Sequence, residues 1–118
     1  MSPGTVALAY LPQADRKTKL RPVLVLCELP KHGDFLVCGI TSKLWNCVPG
    51  FDDVIRVEDD DFRETGLRRG GVIRIGYLVV LAPYEIEGPL GRISDERRAR
   101  VVGNFVRFLG QTIGLEEL

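Results

Sequence analysis

Apolar positions along this chain fall into short runs broken by turn formers, and only one stretch has helical spacing. Val23 to Leu26 is continuously apolar, and so is most of Phe35 to Ile40, as expected of strands buried on both faces or rolled into a small barrel. The link Leu29-Pro30-Lys31-His32-Gly33 holds the breakers and the glycine of a hairpin turn, so these strands should pair antiparallel as neighbours. Thr5 to Leu11, opened by Pro3-Gly4 and closed by Pro12, reads as the first strand, and Asp53 to Glu58 as another. Val72 to Arg74 and Tyr77 to Ala82 form the last, with Gly76 marking a bulge or a close backbone approach. Gln13 to Lys19 reads as an exposed, mobile polar loop. Arg63 to Gly71 reads as a polar, Gly-rich link, and Pro83 to Arg92 as a loop interrupted by Pro83, Gly88 and Pro89.

The helix begins after Ser94, a good N-cap, with Asp95 and Glu96 placing negative charge on its first turn. Ala99, Val102, Phe105, Val106 and Leu109 recur at helical spacing, and Gly110 is the expected stop. Arg97, Arg98, Arg100 and Arg107 lie elsewhere on the wheel and predict a mostly solvated face. The apolar stripe should close one end of a barrel or meet a partner, and the tail residues Ile113, Leu115 and Leu118 either pack or fray.

A chain of 118 residues with 45% hydrophobic and 27% charged side chains has the composition of an ordinary globular domain, read here as one domain over residues 1–118. Thirteen Gly and seven Pro favour many turns and short elements, hence a mainly β, α+β fold. Formal charge is zero, so nucleic-acid binding must rest on local charge. The first fifty residues carry six basic side chains against three acidic ones, whereas Asp52 to Glu64 has seven acids against Arg56 and Arg63. Cys27, Cys38 and Cys47 lack metal-site spacing and read as small buried hydrophobes in a reducing compartment. No apolar run approaches the ~20 residues of a membrane span, and the N-terminus is not a signal peptide. A soluble cytoplasmic protein is expected.

No serine-triad, zincin, P-loop or dinucleotide fingerprint is present. Arg21 starts one strand of the hairpin and Thr41 ends its partner, so the two belong on one rim. A guanidinium holds its charge at neutral pH and suits an anion, best a phosphate; the alternative is a strand-edge arginine paired with a carboxylate. Thr41 and Ser42 are hydroxyls at a strand end, either turn formers or donors to a ligand. Arg16, Lys17 and Lys19 form a basic loop beside Arg21, either a solvated linker or the first contact of a phosphate-rich ligand. Arg74 is a further rim candidate or an ion-pair partner of the preceding acids. His32, at the hairpin tip, lies at the far end of the strands from Arg21.

Arg21-Pro22-Val23-Leu24-Val25-Leu26, the later Ile40-Thr41-Ser42, the Gly-headed strand Gly4 to Leu11 and the segment Val72 to Ser94 together resemble the MazF/PemK toxin family over nearly the whole chain. The resemblance implies a small SH3-like antiparallel β-barrel (PemK/CcdB-like) with a C-terminal helix, and a homodimer. It implies a type II toxin–antitoxin toxin, an mRNA interferase that cuts single-stranded RNA without cofactor or metal. A cognate antitoxin would lay an acidic peptide across the RNA face. Arg21 and Thr41 then take the catalytic positions, and Arg16, Lys17, Lys19, Ser42, Lys43 and Arg74 the RNA-binding ones. This chain has Gly76 where many relatives carry an acid, and Thr18-Lys19-Leu20 where relatives have a Gly-Gly or Gln-Gly. The alternative is a catalytically inactive SH3-like module that binds a protein or RNA without cleavage.

Overall fold

The turn over Leu29 to Asp34 sets the register of the whole sheet. In the computed structural model, which describes residues 1–114, Lys31 and Gly33 adopt left-handed backbone there, with φ of 78° and 75°. The Leu29 N–H donates to the Asp34 carbonyl at 2.7 Å. The hairpin joins β2 (Thr18–Glu28) to β3 (Phe35–Thr41), antiparallel as expected. Around this pair stand β1 (Thr5–Pro12), β4 (Asp53–Ile55), β5 (Gly71–Leu81) and β6 (Ile86–Arg92), in the spatial order β4-β5-β3-β2-β1-β6. Every pairing is antiparallel. A four-residue helix α1 (Phe62–Thr65) precedes β5, and α2 (Asp95–Thr112) ends the fold.

Two apolar clusters occupy the two faces. Val6, Leu24, Cys38, Ile40, Ile73 and Ile75 face Val101 and Phe105 of α2. Ala7, Ala9, Leu11, Val23, Val25, Val37, Phe35 and Leu81 line the opposite face. That second face curls inward. Its Tyr77, on β5, donates its hydroxyl to the Pro12 carbonyl at the end of β1, 2.7 Å away. In a flat sheet those strands would stand three spacings apart, about 14 Å, which a tyrosine cannot cross. Small residues permit the curl: Ala7 and Ala9 are fully buried on it, and the Tyr77 ring lies where Gly39 has no side chain. The result is a curled six-stranded half-barrel carrying a C-terminal helix, as the sequence predicts.

Several elements differ from expectation. Thr18 and Lys19 belong to β2, opposite Pro12 and Leu11. The loop is thereby shortened to residues 13–17 and held as a turn by Gln13 N–H to Lys17 O and Arg16 N–H to Gln13 O. The strand expected over Asp53 to Glu58 stops at Ile55, since Arg56 to Asp61 turns toward α2. The breaker-rich stretch Pro83 to Arg92 is largely β6, an edge strand on β1 whose bulges between Val6/Ala7 and Leu8/Ala9 absorb the prolyl and glycyl residues. At Gly76 the bulge is present: Gly39 pairs with Arg74, but the next residue, Cys38, pairs with Leu78. The helix passes Gly110 to reach Thr112, because one glycine weakens a helix without ending it. Leu115 and Leu118 lie outside the described residues.

The largest departure is Arg97. Its spacing predicts a solvated arginine; it is 5% exposed. Ser94 caps α2 by accepting the Arg97 N–H at 3.1 Å, which sets this side chain down beside the acidic segment. Nε and Nη2 grip Asp61 at 2.9 and 2.8 Å, Nη1 reaches Asp53 at 2.7 Å and the Val54 carbonyl at 2.9 Å, and Nη2 also meets Asp59 at 2.8 Å. Arg100 adds a second cation on Asp53 at 2.7 Å. The Arg97 guanidinium holds the Asp61 carboxyl well below the usual range. Asp59 is lowered too, first by the Arg56 N–H that it accepts and then by Arg97. No helix among the described residues is long and apolar enough to cross a membrane.

Candidate functional site

The register places the rim residues together. Val23 faces Gly39 as the last pair between β2 and β3; Arg21 and Thr41 each lie two residues beyond it, at the same end of the two strands. Arg74, on the other side of β3, also faces Gly39. Residues directly opposite or two apart share a sheet face, so Arg21, Thr41 and Arg74 all issue from the inner face of the curl. They sit on three adjacent strands with Thr41 on the central one. Arg21 and Arg74 thus flank the hydroxyl from strands about 10 Å apart, a span that two long guanidinium side chains can close on one anion.

Thr41 is half-buried and Arg21 exposed. The Thr41 Oγ1 accepts the Lys43 N–H at 3.2 Å, which orients the hydroxyl and leaves its own proton available for donation. The same bond brings Ser42 and Lys43 over the rim. Arg16 and Lys17 lie in the β1–β2 turn, where the Lys17 N–H donates to Asp15 at 3.0 Å and Arg16 takes a left-handed φ of 67°, and Lys19 stands on β2 two residues before Arg21. His32 is exposed at the opposite end of the hairpin.

Charge pairing separates this rim from the rest of the molecule. None of the ion pairs among the described residues involves Arg16, Lys17, Lys19, Arg21, Lys43 or Arg74. Four of the seven acids between Asp52 and Glu64 are engaged elsewhere: Asp53, Asp59 and Asp61 with Arg97, and Asp52 with the N–H groups of Val48 at 2.9 Å and Ile75 at 3.1 Å. A formally neutral chain therefore presents a locally cationic rim. Neither cysteine near it offers a ready thiolate. Burial pushes Cys38 up to about 12, and burial with Asp52 and Asp53 raises Cys47. A concavity of about 520 Å³ lined by Arg56, Asp59, Ser94 and Arg97 opens beside the helix, but Arg97 there is already saturated with carboxylates.

Gly71 holds Thr41 in place. A Cβ at Gly71 would stand 2.7 Å from the Thr41 carbonyl oxygen, and backbone cannot step aside as a side chain can. Gly71→Ala should cost about 1–3 kcal/mol of stability through overpacking. Gly88→Ala, where a Cβ meets nothing within 4 Å, should stay within about 0.5 kcal/mol. Urea unfolding of the two variants reads the difference.

The sequence singled out Arg21, Thr41 and Arg74 as candidates but not what packs around them: Tyr77 across the curl, Gly71 against the Thr41 carbonyl, and Asp52 on the Ile75 N–H at the bulge. The Gly70-Gly71 pair before β5 was the only signal for this close approach, and it reads equally well as a turn.

Known structures share this arrangement of strands and helix. The Mycobacterium tuberculosis toxin MazF-mt6 superposes with a TM-score of 0.66 at 17% identity, covering 94% of this chain and 97% of that one. The fold is that of the MazF toxins. MazE–MazF from Deinococcus radiodurans gives 0.66 at 18% identity over 93% and 95% of the two chains. A mycobacterial endoribonuclease in complex with its cognate antitoxin gives 0.67 at 15% over 93% and 95%. Coverage on both sides means that the MazF fold accounts for nearly the whole chain. No protein-family model matches the sequence, and no curated protein matches it.

Proposed function

We propose that this protein is a MazF/PemK-type toxin of a type II toxin–antitoxin pair, an endoribonuclease that cuts single-stranded RNA without a metal. The observation that carries the reading is the set Arg21, Thr41 and Arg74, on one face of three adjacent strands with no carboxylate paired to either guanidinium among the described residues. The RNA 2'-hydroxyl attacks the adjacent phosphorus. The 2'-O–P bond forms as the P–5'-O bond breaks, the 2'-hydroxyl proton passes to solvent and the departing 5'-oxygen takes one up. The products are a 2',3'-cyclic phosphate and a 5'-hydroxyl. Arg21 stabilises the charge that builds on the phosphorane oxygens, and the Thr41 hydroxyl donates to a non-bridging oxygen. Arg16, Lys17, Lys19, Ser42, Lys43 and Arg74 hold the strand on either side.

The same cationic rim suits the acidic peptide of an antitoxin, which would compete with RNA for it. Val102, Val106, Leu109 and Ile113 form an exposed stripe along α2 at the spacing of one helix face, a surface suited to a second copy in a homodimer.

End-group analysis tests the chemistry. Fragments should accept a 5'-phosphate from polynucleotide kinase without prior phosphatase treatment; fragments already bearing 5'-phosphates would refute attack by the 2'-hydroxyl. Binding should also weaken with salt. Removing Lys17 and Lys19 together should flatten the slope of log K against log salt by about 1.4, at about 0.7 per lost phosphate contact, while affinity for different sequences falls in parallel.

A further inference from the structure

Trp45 is the chain's single tryptophan and is 80% exposed. It stands on a 3-10 turn, Leu44–Asn46, that follows directly from Thr41. Both ends of that turn are tied to groups already placed at the site. At the near end the Lys43 N–H donates to Thr41 Oγ1 at 3.2 Å. Within the turn, Asn46 N–H meets Lys43 O at 3.0 Å and Cys47 N–H meets Leu44 O at 3.2 Å. At the far end the Val48 N–H donates to Asp52, whose other oxygen takes the Ile75 N–H at the β5 bulge.

A fixed backbone therefore presents a large, rigid apolar surface to water, four residues and at most about 14 Å from Thr41 along the chain. Isolated exposed aromatics are ordinary on protein surfaces. Tyr84, 85% exposed, is one such case: it follows the far end of β5, where Leu81 pairs with Phe35, and has a hydroxyl to hydrate. Trp45 differs in its neighbours. Lys43 precedes it at the head of the same turn, and Arg21 and Thr41 lie at the same end of β2 and β3, from which the turn departs. A positive groove interleaved with exposed aromatics is how single-stranded nucleic acid is held without base pairing, because every base offers a stacking face.

We propose that Trp45 is the base-stacking platform of this site, taking the face of a nucleobase that flanks the phosphodiester gripped by Arg21 and Thr41. The inference rests on the ribonuclease reading above. Stacking supplies binding common to ground and transition states, so Trp45 acts on affinity and KM and leaves the chemical step to Arg21 and Thr41. A tryptophan has only two side-chain torsions to fix on binding, so little of the stacking gain is lost to ordering.

The test uses a fully 2'-O-methylated oligonucleotide of mixed sequence, which lacks the attacking hydroxyl and stays intact. Tryptophan emission reports Trp45 alone, and the anisotropy of the same oligonucleotide carrying a 5'-fluorophore reports binding independently. Emission should change and saturate with the anisotropy midpoint. Trp45→Ala should raise Kd and KM on the order of tenfold with kcat nearly constant, and Trp45→Phe should recover most of the loss. Binding by anisotropy without a change in emission, or equal affinity in Trp45→Ala, would overturn the stacking role while leaving the ribonuclease reading intact. A Trp45→Ala loss confined to an acidic peptide, with RNA affinity untouched, would also overturn it and assign the ring to a protein partner. Absence of both RNA binding and RNA cleavage would overturn the two readings together.

Discussion

Arg97→Met lowers the unfolding free energy by about 3–5 kcal/mol, the range for removing one partner of a buried ionic network. The cause is less the lost attraction than what remains. Asp53 and Asp61 are nearly buried and Asp59 is partly so; Asp53 would keep Arg100, but Asp59 and Asp61 would be left beside it without their counter-ion. The loss is a large share of the 5–15 kcal/mol that holds a domain of ordinary stability together. Arg97→Lys should fall between, since an ammonium keeps the charge but cannot match the planar fork that grips both oxygens of Asp61 while reaching Asp53 and Asp59. Urea unfolding, with the midpoint displaced and the slope unchanged, is the measurement. A midpoint shift under about 0.5 kcal/mol, the range of ordinary surface substitutions, would contradict the account.

The same network fixes a pH dependence. Asp61 and Asp59 titrate lower in the fold than in the unfolded chain, where an aspartate has a pKa of about 3.9. Their contribution is therefore fully present above the unfolded value and is lost as pH falls through the lower folded values. In Arg97→Met the sign reverses: crowded carboxylates bind protons more readily in the fold than in the unfolded chain. The gap between native protein and variant should narrow as pH drops from neutrality toward 4.

How these acids are used explains what the sequence could reveal. The hairpin, the placing of Arg21 and Thr41 at one end of it, the bulge at Gly76 and the Ser94 cap were all legible, because turn chemistry and strand order determine them locally. Arg97 was not. Helical periodicity sorts residues by face and says nothing of what another segment brings to that face, and here Asp53 to Asp61 arrives from some forty residues away in sequence. β6 was hidden for a related reason: Gly88, Pro89 and Gly91 are poor strand formers, and only an edge position with bulges against β1 makes them one. Gly91 has a packing reason as well, since a Cβ there would lie on the Glu64 carbonyl at the end of α1. At the candidate site, the sequence offered the residues but not their charge pairing. Composition left open whether Arg21 and Arg74 were neutralised; neither makes an ion pair among the described residues, and three of the acids before Arg74 are held by α2.

Arg21 carries the central claim. It is exposed and makes no ion pair among the described residues, so Arg21→Ala should leave stability within about 0.5 kcal/mol. Loss of a preorganised donor to a developing oxyanion costs about 10²–10³ in rate, and a guanidinium that offers two donors and a charge should sit at the upper end. Thr41→Ala should lose less than Arg21→Ala, because it removes one neutral donor together with the acceptor that orients Lys43. Thr41→Ser keeps both functions and should retain most activity.

The direct measurement is the cleavage rate of a long single-stranded RNA in EDTA, by the native protein and by Arg21→Ala shown by circular dichroism to be folded. Discrete cuts by the native protein, slowed at least about 100-fold in the variant, are the predicted result. Equal cleavage by both would remove Arg21 from the chemistry, and no cleavage by native protein at high enzyme ratio would contradict the ribonuclease reading and leave a binding module in its place.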